Sequence, residues 1–347
     1  MRYHHRFMEV SVVVATYNRA RLLHTLLEDL AAQTLARDRF DLVLVDDGSR
    51  EPVRPFVETL SLPFRVHLLE QPNAGQAAAR DRGIRAATGR VVVIVDDDMA
   101  LVPGFLEAHL RAHEAGADVV MGLIEPPPGA KLPLFEKFHA DALLRFAHDV
   151  AQGRRQARGV NLATGNVSFY RDDYLAIGGF DRTLKRSEDR ELGIRLERAG
   201  KRLTVSEEAK VVHHSDHASE DGWLKRSFEY GVFDLRIARK HPDEESANPW
   251  SYLWLVHPVS RPLLLGVAMA PRSTRGVARL AMRVSRTLER MGYERAAIRG
   301  CTFAFGVEYF RGVRTESGSL LRVARDLVAY AERRRGAARV VHRSAQR

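Results

Sequence analysis

Three polar clusters follow apolar segments along this 347-residue chain. They are Thr16-Tyr17-Asn18 after VSVVVA, Asp46-Asp47 after DLVLV, and Asp96-Asp97-Asp98 after VVVIV. Adjacent carboxylates repel one another unless a cation lies among them. Hard divalent ions such as Mg²⁺ or Mn²⁺ take oxygen ligands and keep open positions for substrate phosphate. The third cluster therefore predicts a divalent-cation site that meets a substrate phosphate; the alternative is a solvated acidic turn.

The segments around these clusters alternate between strand and helix patterns. Apolar β-branched runs predict strands, which fall at 10–15, 41–45, 64–69, 91–95 and 118–124. Helical spacing fills the intervals, so we expect βαβ units and a mostly parallel sheet. The carboxyl ends of parallel strands share one edge, where open α/β sheets bind ligands. Neither GxGxxG nor GxxxxGKS follows the first strand, which excludes a dinucleotide-type Rossmann domain and a P-loop enzyme.

The second half of the chain carries two further polar sites and then changes character. Ser187-Glu188-Asp189 opens a predicted helix at 187–199, and Val211-Val212-His213-His214 ends a predicted strand. From residue 221 onward the patterns are helical. We therefore expect an α/β domain at 1–217 and a mainly helical, arginine-rich region at 218–347.

Positive charge is concentrated at the carboxyl end. The formal net charge is +10, yet residues 251–347 alone hold 19 arginines, no lysine and six acids. Four of these arginines recur at helical spacing opposite three apolar residues; the arginines are Arg279, Arg283, Arg286 and Arg290, and the apolar residues are Leu280, Val284 and Leu288. Such a helix predicts either a solvated face or contact with an anionic membrane surface. Nucleic acid is not an expected partner, because no helix-turn-helix, zinc-finger or aromatic RNP pattern is present.

Cysteine usage and hydropathy indicate the compartment. Cys301 is the single cysteine, which excludes an intrachain disulfide and fits a reducing compartment. The sequence contains no run of about 18 uncharged apolar residues, so no membrane-spanning helix is expected. The nearest candidate, 250–270, contains Arg261 and two prolines and is typical of a buried or interfacial hairpin. Residues 1–10 lack the apolar stretch of a secretory signal. We expect a cytoplasmic protein, peripheral at the inner face of the membrane if the basic helix binds lipid.

Taken in order, these segments resemble the signature of the family 2 glycosyltransferases, which have the GT-A fold. The matching blocks are VSVVVATYNRARLL at 10–23, LVLVDDGS at 42–49, QPNAGQAAARDRGIRAATGRVVVIVDDDM at 71–99, ATGNVSFYR at 163–171, GGFDRTLKRSEDRELGIRLERAGKRL at 178–203 and KVVHH at 210–214. Each block alone is weakly specific, but the ordered set is highly specific. The resemblance covers roughly residues 9–217. It implies transfer of a sugar from a nucleotide diphosphate donor to an acceptor hydroxyl, on a sugar, a lipid-linked molecule or another compound.

The resemblance also implies which residues bind the donor. Those expected to line the donor are Ala15, Thr16 and Tyr17 beside the base and ribose, Arg80 at phosphate or sugar, Asp96 and Asp97 in the acidic cluster, and Asn166 beside the sugar or acceptor. Asp47 would accept a hydrogen bond from the imide of the base, which favours UDP over an adenine nucleotide. The sequence departs from the pattern at Asp81, where the family often has Asn.

A metal-binding pair follows from the same resemblance. Asp98 would be the direct ligand of Mg²⁺ or Mn²⁺, and Asp96 would reach the ribose or a metal-bound water. His213 would supply a third contact, with the adjacent His214 as the alternative. The cation would stabilise the charge that develops on the leaving diphosphate.

The acids that open the helix at 187–199 are implied to be catalytic. Asp189 would be the general base that removes the acceptor proton, and Glu188 would orient or bind acceptor hydroxyls. A carboxylate base used in this way implies direct displacement and inversion at the anomeric carbon. The alternative interpretation is structural: Ser187 caps the helix, and both acids interact favourably with its dipole.

Two other classes of protein compete with this interpretation. A nucleotidyltransferase that makes nucleotide sugars would need a Gly-rich, basic loop after the first strand, and residues 15–20 lack one. A non-catalytic sugar- or nucleotide-binding scaffold would be expected to lose the metal and base carboxylates, yet Asp96, Asp98 and Asp189 are all present.

Overall fold

The computed structural model describes residues 8–215, 219–270, 274 and 276–344, with side chains described up to residue 334. The chain divides into two compact units. The first contains residues 8–131 and 139–215, and the second contains residues 132–138 together with the described residues from 219 onward. The predicted boundary at 217/218 lies outside the described residues. The first unit carries every residue that the sequence assigns to the candidate site.

An eight-stranded sheet forms the centre of the first unit. Its strands are β1 (Val10–Thr16), β2 (Phe40–Asp46), β3 (Arg65–Glu70), β4 (Val91–Val95), β5 (Met99–Leu101), β6 (Val119–Glu125), β7 (Asn166–Tyr170) and β8 (Leu203–His213). They lie in the order β3-β2-β1-β4-β7-β6-β8-β5. The pairs β1–β2, β1–β4, β2–β3 and β6–β8 are parallel, whereas β7 and β5 pair antiparallel with their neighbours. The predicted α/β class with a mostly parallel sheet is therefore confirmed.

Helices cover both faces of this sheet. They are α1 (Ala20–Ala31), α2 (Arg54–Glu58), α3 (Gln76–Ala86), α4 (Phe105–Glu114), α5 (Leu134–Ala151), α6 (Arg171–Ala176) and α7 (Glu188–Arg198). Val12 of β1 belongs to the core that also holds the buried leucines of α1, whereas Val13 belongs to the core that holds Ile84 of α3. Successive side chains of a strand point to opposite faces. An apolar run without alternation is therefore what a strand buried on both faces requires.

Two features near the acidic cluster differ from the expected strands. The strand expected to end at 211–214 is long: β8 runs continuously over Leu203–His213, and its pairing with β6 shifts register beside Gly122. The short strand β5, which the sequence analysis did not predict, pairs antiparallel with the end of β8. These two features bring the segment after the acidic cluster against His213, because Met99 lies opposite His213 in the pairing.

The second unit is helical. Besides the start of α5 it contains α8 (Glu220–Lys240), α9 (Tyr252–Leu255), α10 (Ser260–Met269), α11 (Val277–Arg290), α12 (Glu294–Ser317) and α13 (Leu320–Ser344). Glycines let α8 and α12 cross closely, since a Cβ on Gly231 would lie 1.9 Å from the carbonyl oxygen of Tyr309. Trp250 is buried and stacks on Phe310 with ring centroids 5.4 Å apart. None of the helices in the described residues is long and apolar enough to cross a membrane.

A pair of glycines fixes the position of α7, the helix that opens with Glu188 and Asp189. A Cβ on Gly193 would lie 2.1 Å from the carbonyl oxygen of Gly159, and a Cβ on Gly159 would lie equally close to that of Gly193. We expect Gly193→Ala to destabilise the first unit by about 1–3 kcal/mol, because the two backbones must separate. A lower temperature of thermal unfolding, together with reduced activity, is the result to look for.

Gly266→Ala is the matched control for this substitution. Gly266 also lies within a helix, α10, but no atom lies within 4 Å of the position that its Cβ would take. Alanine there should be neutral or stabilising by up to about 1 kcal/mol. A Gly193→Ala protein as stable as the wild type would show that the close approach does not hold α7 in place.

Candidate active site

The parallel register brings the polar clusters to one edge of the sheet. Thr16, the last residue of β1, lies opposite Asp46, the last residue of β2. β4 runs parallel to β1 and ends directly before Asp96, and the amide of Asp96 donates to the carbonyl of Gly165 at 3.3 Å. β8 runs parallel to β6, so His213 ends at this edge as well.

The acidic cluster after β4 is held by hydrogen bonds from the β1 loop. The hydroxyl of Thr16 donates to Asp97 Oδ2 at 2.7 Å, and Arg19 Nη1 donates to Asp97 Oδ1 at 3.0 Å. The same guanidinium nitrogen lies 3.1 Å from Asp98 Oδ2. Burial and, to a smaller extent, the charge of Asp98 raise the pKa of Asp97 to about 6, against the opposing effects of Thr16 and Arg19. Asp97 thus binds residues 16–19, which are the end of β1 and the loop after it. This segment includes Thr16 and Tyr17, two residues predicted to bind the donor.

Asp98 and His213 form a direct contact. Nε2 of His213 lies 3.4 Å from Oδ2 of Asp98, and the imidazole is partly exposed. His214 contacts the same aspartate through its backbone, since its amide donates to the carbonyl of Asp98 at 2.8 Å. The ring that reaches the carboxylate is therefore that of His213.

Arg80 links the acidic cluster to the start of α7. The guanidinium is buried, donates to Asp96 Oδ1 and to Thr164 Oγ1 (2.7 Å for the threonine), and lies 3.5 Å from Glu188 Oε1. Arg80 lies in the second turn of α3, so the position of this helix determines where the guanidinium lies. One side chain thus joins the two carboxylate groups that the sequence assigns to donor binding and to catalysis.

The pKa of Asp189, the second acid of α7, lies close to neutrality. Burial and, to a smaller extent, the neighbouring charge of Glu188 raise the pKa of Asp189 to about 7. The backbone amide of Arg190 donates to Asp189 Oδ1 at 2.8 Å and opposes that shift, as do the charges of Arg80 and Arg190. A carboxylate that titrates near neutral pH is suited to accept a proton and release it again.

The backbone at the start of α7 is not that of an ordinary serine-capped helix. Ser187, at the N-cap position, has φ 59° and ψ 17°, which is left-handed backbone. A capping serine ordinarily has extended backbone. Left-handed backbone at a residue with a Cβ is strained, and such strain is concentrated at functional sites.

The donor-side residues differ in what their side chains do. Asp47 is buried and holds the turn that precedes α3: Oδ1 accepts from the amide of Ala74 and Oδ2 from the amide of Gly75, both at 2.9 Å. Tyr17 is exposed, and Ala15 is partly exposed. Asp47 therefore shapes the segment that leads to Arg80, while Ala15 and Tyr17 are accessible to a ligand.

Asn166 pairs with Val95 at the end of β4, but its side chain is buried against the neighbouring strands. Its amide nitrogen donates to the carbonyls of Leu123 (3.2 Å) and Ala209 (2.8 Å), and its oxygen lies 3.0 Å from His109 Nε2. His109 is itself buried, and burial lowers the pKa of His109 to about 3. The side chain of Asn166 thus braces the junction of β6, β7 and β8, and a ligand contact from it would require these bonds to break.

Two residues in contact with the predicted site were missed at the sequence level. Arg19 follows the first polar cluster directly, and Thr164 lies in the block ATGNVSFYR. Proximity to those motifs was the available signal, but their contacts depend on the folded chain. Asp81, where the sequence departs from the family pattern, is buried and accepts from Tyr174 Oη at 2.7 Å and Arg85 Nε at 2.9 Å.

The donor set at the acidic cluster fits a divalent cation that shares its ligands with a substrate. Among the described residues, no group of three or more histidine, cysteine or acidic side chains is arranged to enclose a metal ion. Asp98 and His213 supply one oxygen-bearing and one nitrogen-bearing ligand. Mg²⁺ is ordinarily bound by one or two carboxylates together with substrate phosphates and water. An open pair of this kind therefore matches the ligand chemistry of Mg²⁺ or Mn²⁺.

Relatives of known description match this chain. It matches the family described as Glycosyl transferase family 2 over residues 11–175. It is 31% identical over 265 residues to validoxylamine A glucosyltransferase of Streptomyces hygroscopicus subsp. jinggangensis, covering 67% of this chain and 61% of that protein. It is 30% identical over 260 residues to glucosyl-dolichyl phosphate glucuronosyltransferase of Haloferax volcanii, covering 69% of this chain and 82% of that protein. The chain thus spans about three fifths of the length of the Streptomyces relative.

The fold is shared with a solved glycosyltransferase. The mannosyltransferase PcManGT of Pyrobaculum calidifontis, in complex with GDP-Man and Mn²⁺, superposes with a TM-score of 0.57 at 20% identity, over 84% of this chain and 85% of that one. This similarity confirms the predicted GT-A fold. The sequence matches show that the chain belongs to glycosyl transferase family 2.

Proposed function

We propose that this protein transfers a sugar from a nucleoside diphosphate donor to an acceptor hydroxyl, with inversion at the anomeric carbon. The observation that carries the proposal is the position of Arg80, between Asp96 of the acidic cluster and Glu188 at the start of α7. A donor diphosphate at the acidic cluster and an acceptor at α7 would then be neighbours. Placing both reactants in one site is what a direct displacement needs.

Asp189 is proposed as the general base. Its raised pKa, near 7, gives the carboxylate more affinity for a proton than an ordinary aspartate has. Glu188 lies 3.5 Å from the guanidinium of Arg80 and is proposed to bind acceptor hydroxyls.

Asp98 and His213 are the residues proposed to hold Mg²⁺ or Mn²⁺. The bound cation would offset the negative charge on the departing diphosphate. Arg80 supports the same site, because its guanidinium is buried beside Asp96. The presence of Mn²⁺ with GDP-Man in the Pyrobaculum mannosyltransferase favours the same pairing of cation and donor here.

The donor is proposed to be a UDP-sugar. Asp47 is expected to accept from the imide of the base, beside the accessible Ala15 and Tyr17 and the buried Thr16. Guanine also carries an imide, so GDP-sugars are the next class to test. The acceptor is a hydroxyl compound: by their names, the two relatives act on validoxylamine A and on glucosyl-dolichyl phosphate.

A panel of nucleotide sugars tests this function. UDP-, GDP-, ADP- and dTDP-sugars are each mixed with the protein and Mn²⁺, and nucleotide release and thermal shift are recorded. We expect a UDP-sugar to raise the unfolding temperature and to be slowly hydrolysed, with both effects removed by EDTA. A parallel mixture of sugar 1-phosphate and nucleoside triphosphate tests for a nucleotidyltransferase. Pyrophosphate release there, without donor hydrolysis, would contradict the proposal.

A further inference from the structure

Helix α11 leaves an apolar stripe uncovered. Its packed face consists of Ala278, Met282 and Ser285, which are buried. Leu280 is 61% exposed and Val284 is 50% exposed, although both are large apolar side chains. Helix α11 is the arginine-rich helix predicted from the sequence. It packs through the face made of Ala278, Met282 and Ser285, and it exposes both arginines and apolar residues.

The direction of this stripe follows from the ion pairs of α11. Arg279 and Arg286 pair with Asp221 and Glu220 of α8 at 3.0 and 2.7 Å. Successive residues of a helix are rotated by about 100°. Val284 is therefore on nearly the opposite side of α11 from Arg286. The apolar stripe faces away from α8.

Helix α10 shares α12 as a packing partner with α11. Both α10 and α11 pack on α12: Leu264 of α10 lies against Gly306, and Ser285 of α11 lies against Gly300. The segment of α9 and α10 also exposes large apolar residues at intervals of four. They are Leu255 (80% exposed), Val259 (70%) and Leu263 (58%).

A groove lies beside the exposed apolar residues of the α9–α10 segment, between that segment and α12. The groove has a volume of about 310 Å³ and is lined by Leu255, Val256, His257, Ser260, Arg299, Thr302 and Phe303. Arg299 of α12 and Arg283 of α11 are exposed. We call the five exposed apolar residues with Arg283 and Arg299 the α10–α11 face.

The acids of this region do not neutralise the face. Three of them pair with basic residues: Glu294 with Lys137 at 2.7 Å, Glu308 with Arg311 at 2.5 Å and Glu316 with Arg236 at 2.9 Å. Against 19 arginines in residues 251–347 there are only six acids. A second copy of this chain would bring like charges together at the face. The complementary occupant is apolar inside and anionic at its surface.

We propose that the α10–α11 face docks on an anionic phospholipid bilayer. The exposed leucines and valines enter the boundary between headgroups and acyl chains, and the arginines contact lipid phosphates, as in interfacial amphipathic helices. The contact is peripheral, in accord with the lack of a spanning helix among the described residues. It goes beyond the proposed transfer reaction and does not depend on which donor is used.

Vesicle flotation of the full chain tests the proposal. We expect binding to vesicles of phosphatidylcholine mixed with phosphatidylglycerol, little binding to phosphatidylcholine alone, and loss of binding as salt is raised. Leu255→Ser and Leu280→Ser should each weaken binding several-fold, and together about tenfold or more. Arg283→Gln and Arg299→Gln should weaken binding and flatten its salt dependence.

Matched substitutions outside the face control this experiment. Leu143→Ser changes an exposed leucine of α5, and Arg65→Gln changes an exposed arginine of β3. Both should bind vesicles like the wild type. The proposal is overturned if no vesicle binds, if neutral and anionic vesicles bind equally, or if Leu280→Ser abolishes self-association while leaving vesicle binding intact. Hydrolysis of a soluble donor is measured on the same proteins, so loss of membrane binding is distinguished from failure of the catalytic site.

Discussion

Replacing Asp189 by asparagine should lower the rate of sugar transfer by about 10²–10⁴-fold, the range expected for loss of a general base. Asparagine keeps the size of the side chain but does not accept the acceptor proton. Donor affinity should change little, because the contacts of the acidic cluster are with Thr16, Arg19, Arg80 and His213. Transfer kinetics and calorimetric titration of the nucleotide measure the two quantities separately.

The pH dependence of the transfer rate should identify Asp189 as the general base. Because burial, and then the charge of Glu188, raises its pKa to about 7, most of the base is protonated below that pH. The wild-type rate should therefore rise with pH and level off above about pH 7. An asparagine side chain does not titrate in this range, so the Asp189→Asn protein should lose this limb of the profile.

Stability gives a check that the substituted chain is folded. The folded-state pKa of Asp189 lies above its ordinary value of 3.8, so the native state binds more protons than the unfolded state between about pH 4 and 7. The ionised carboxylate thus destabilises the native state, with the full effect above pH 7 and none below pH 4. Asp189→Asn should unfold at a higher temperature than the wild type at pH 8, and the difference should shrink in acid.

Asp172→Asn is the matched control. Asp172 is an exposed acid in the first turn of α6, so it has the helix-start environment of Asp189 without the buried surroundings. Its substitution should leave the transfer rate and pH profile unchanged. Equal activity in the Asp189→Asn and Asp172→Asn proteins would contradict the assignment of Asp189 as the base.

The sequence predicts which polar clusters lie at the carboxyl edge of the sheet better than it predicts the contacts between their side chains. Apolar runs that end in Thr16, Asp46 and Asp96 were sufficient to place those clusters together, because parallel strands align their carboxyl ends. β5 was missed since Met99–Leu101 is too short to show a strand period. That strand sets Met99 opposite His213 and thereby brings Asp98 to the imidazole.

Side-chain partners were the least predictable part. Arg19 meets Asp97 and Asp98 from a residue separation of 78 and 79, which no local pattern records. Asp47 holds the turn before α3 through two backbone amides, so an acid at this position of DDGS has a structural reason besides any contact with a base. Both cases depend on which loops the fold brings together, and a periodicity of apolar residues carries no information on that.

Replacing Asp98 by asparagine should have the second large effect, on cation binding. Asparagine removes the charged oxygen that lies 3.4 Å from His213 Nε2, so the affinity for Mn²⁺ in the presence of UDP should fall by at least about a hundredfold. Transfer should be lost in parallel. Electron paramagnetic resonance titration of Mn²⁺ measures binding without relying on activity.

The two adjacent histidines supply the sharpest contrast within that prediction. His213→Ala should weaken Mn²⁺ binding by about tenfold to a hundredfold, because its ring contacts the carboxylate of Asp98. His214→Ala should bind Mn²⁺ like the wild type, since His214 reaches Asp98 through its backbone amide, which alanine keeps. Equal losses in both variants would show that the cation is held by a different set of residues, and unchanged binding in all three would place the cation away from Asp98.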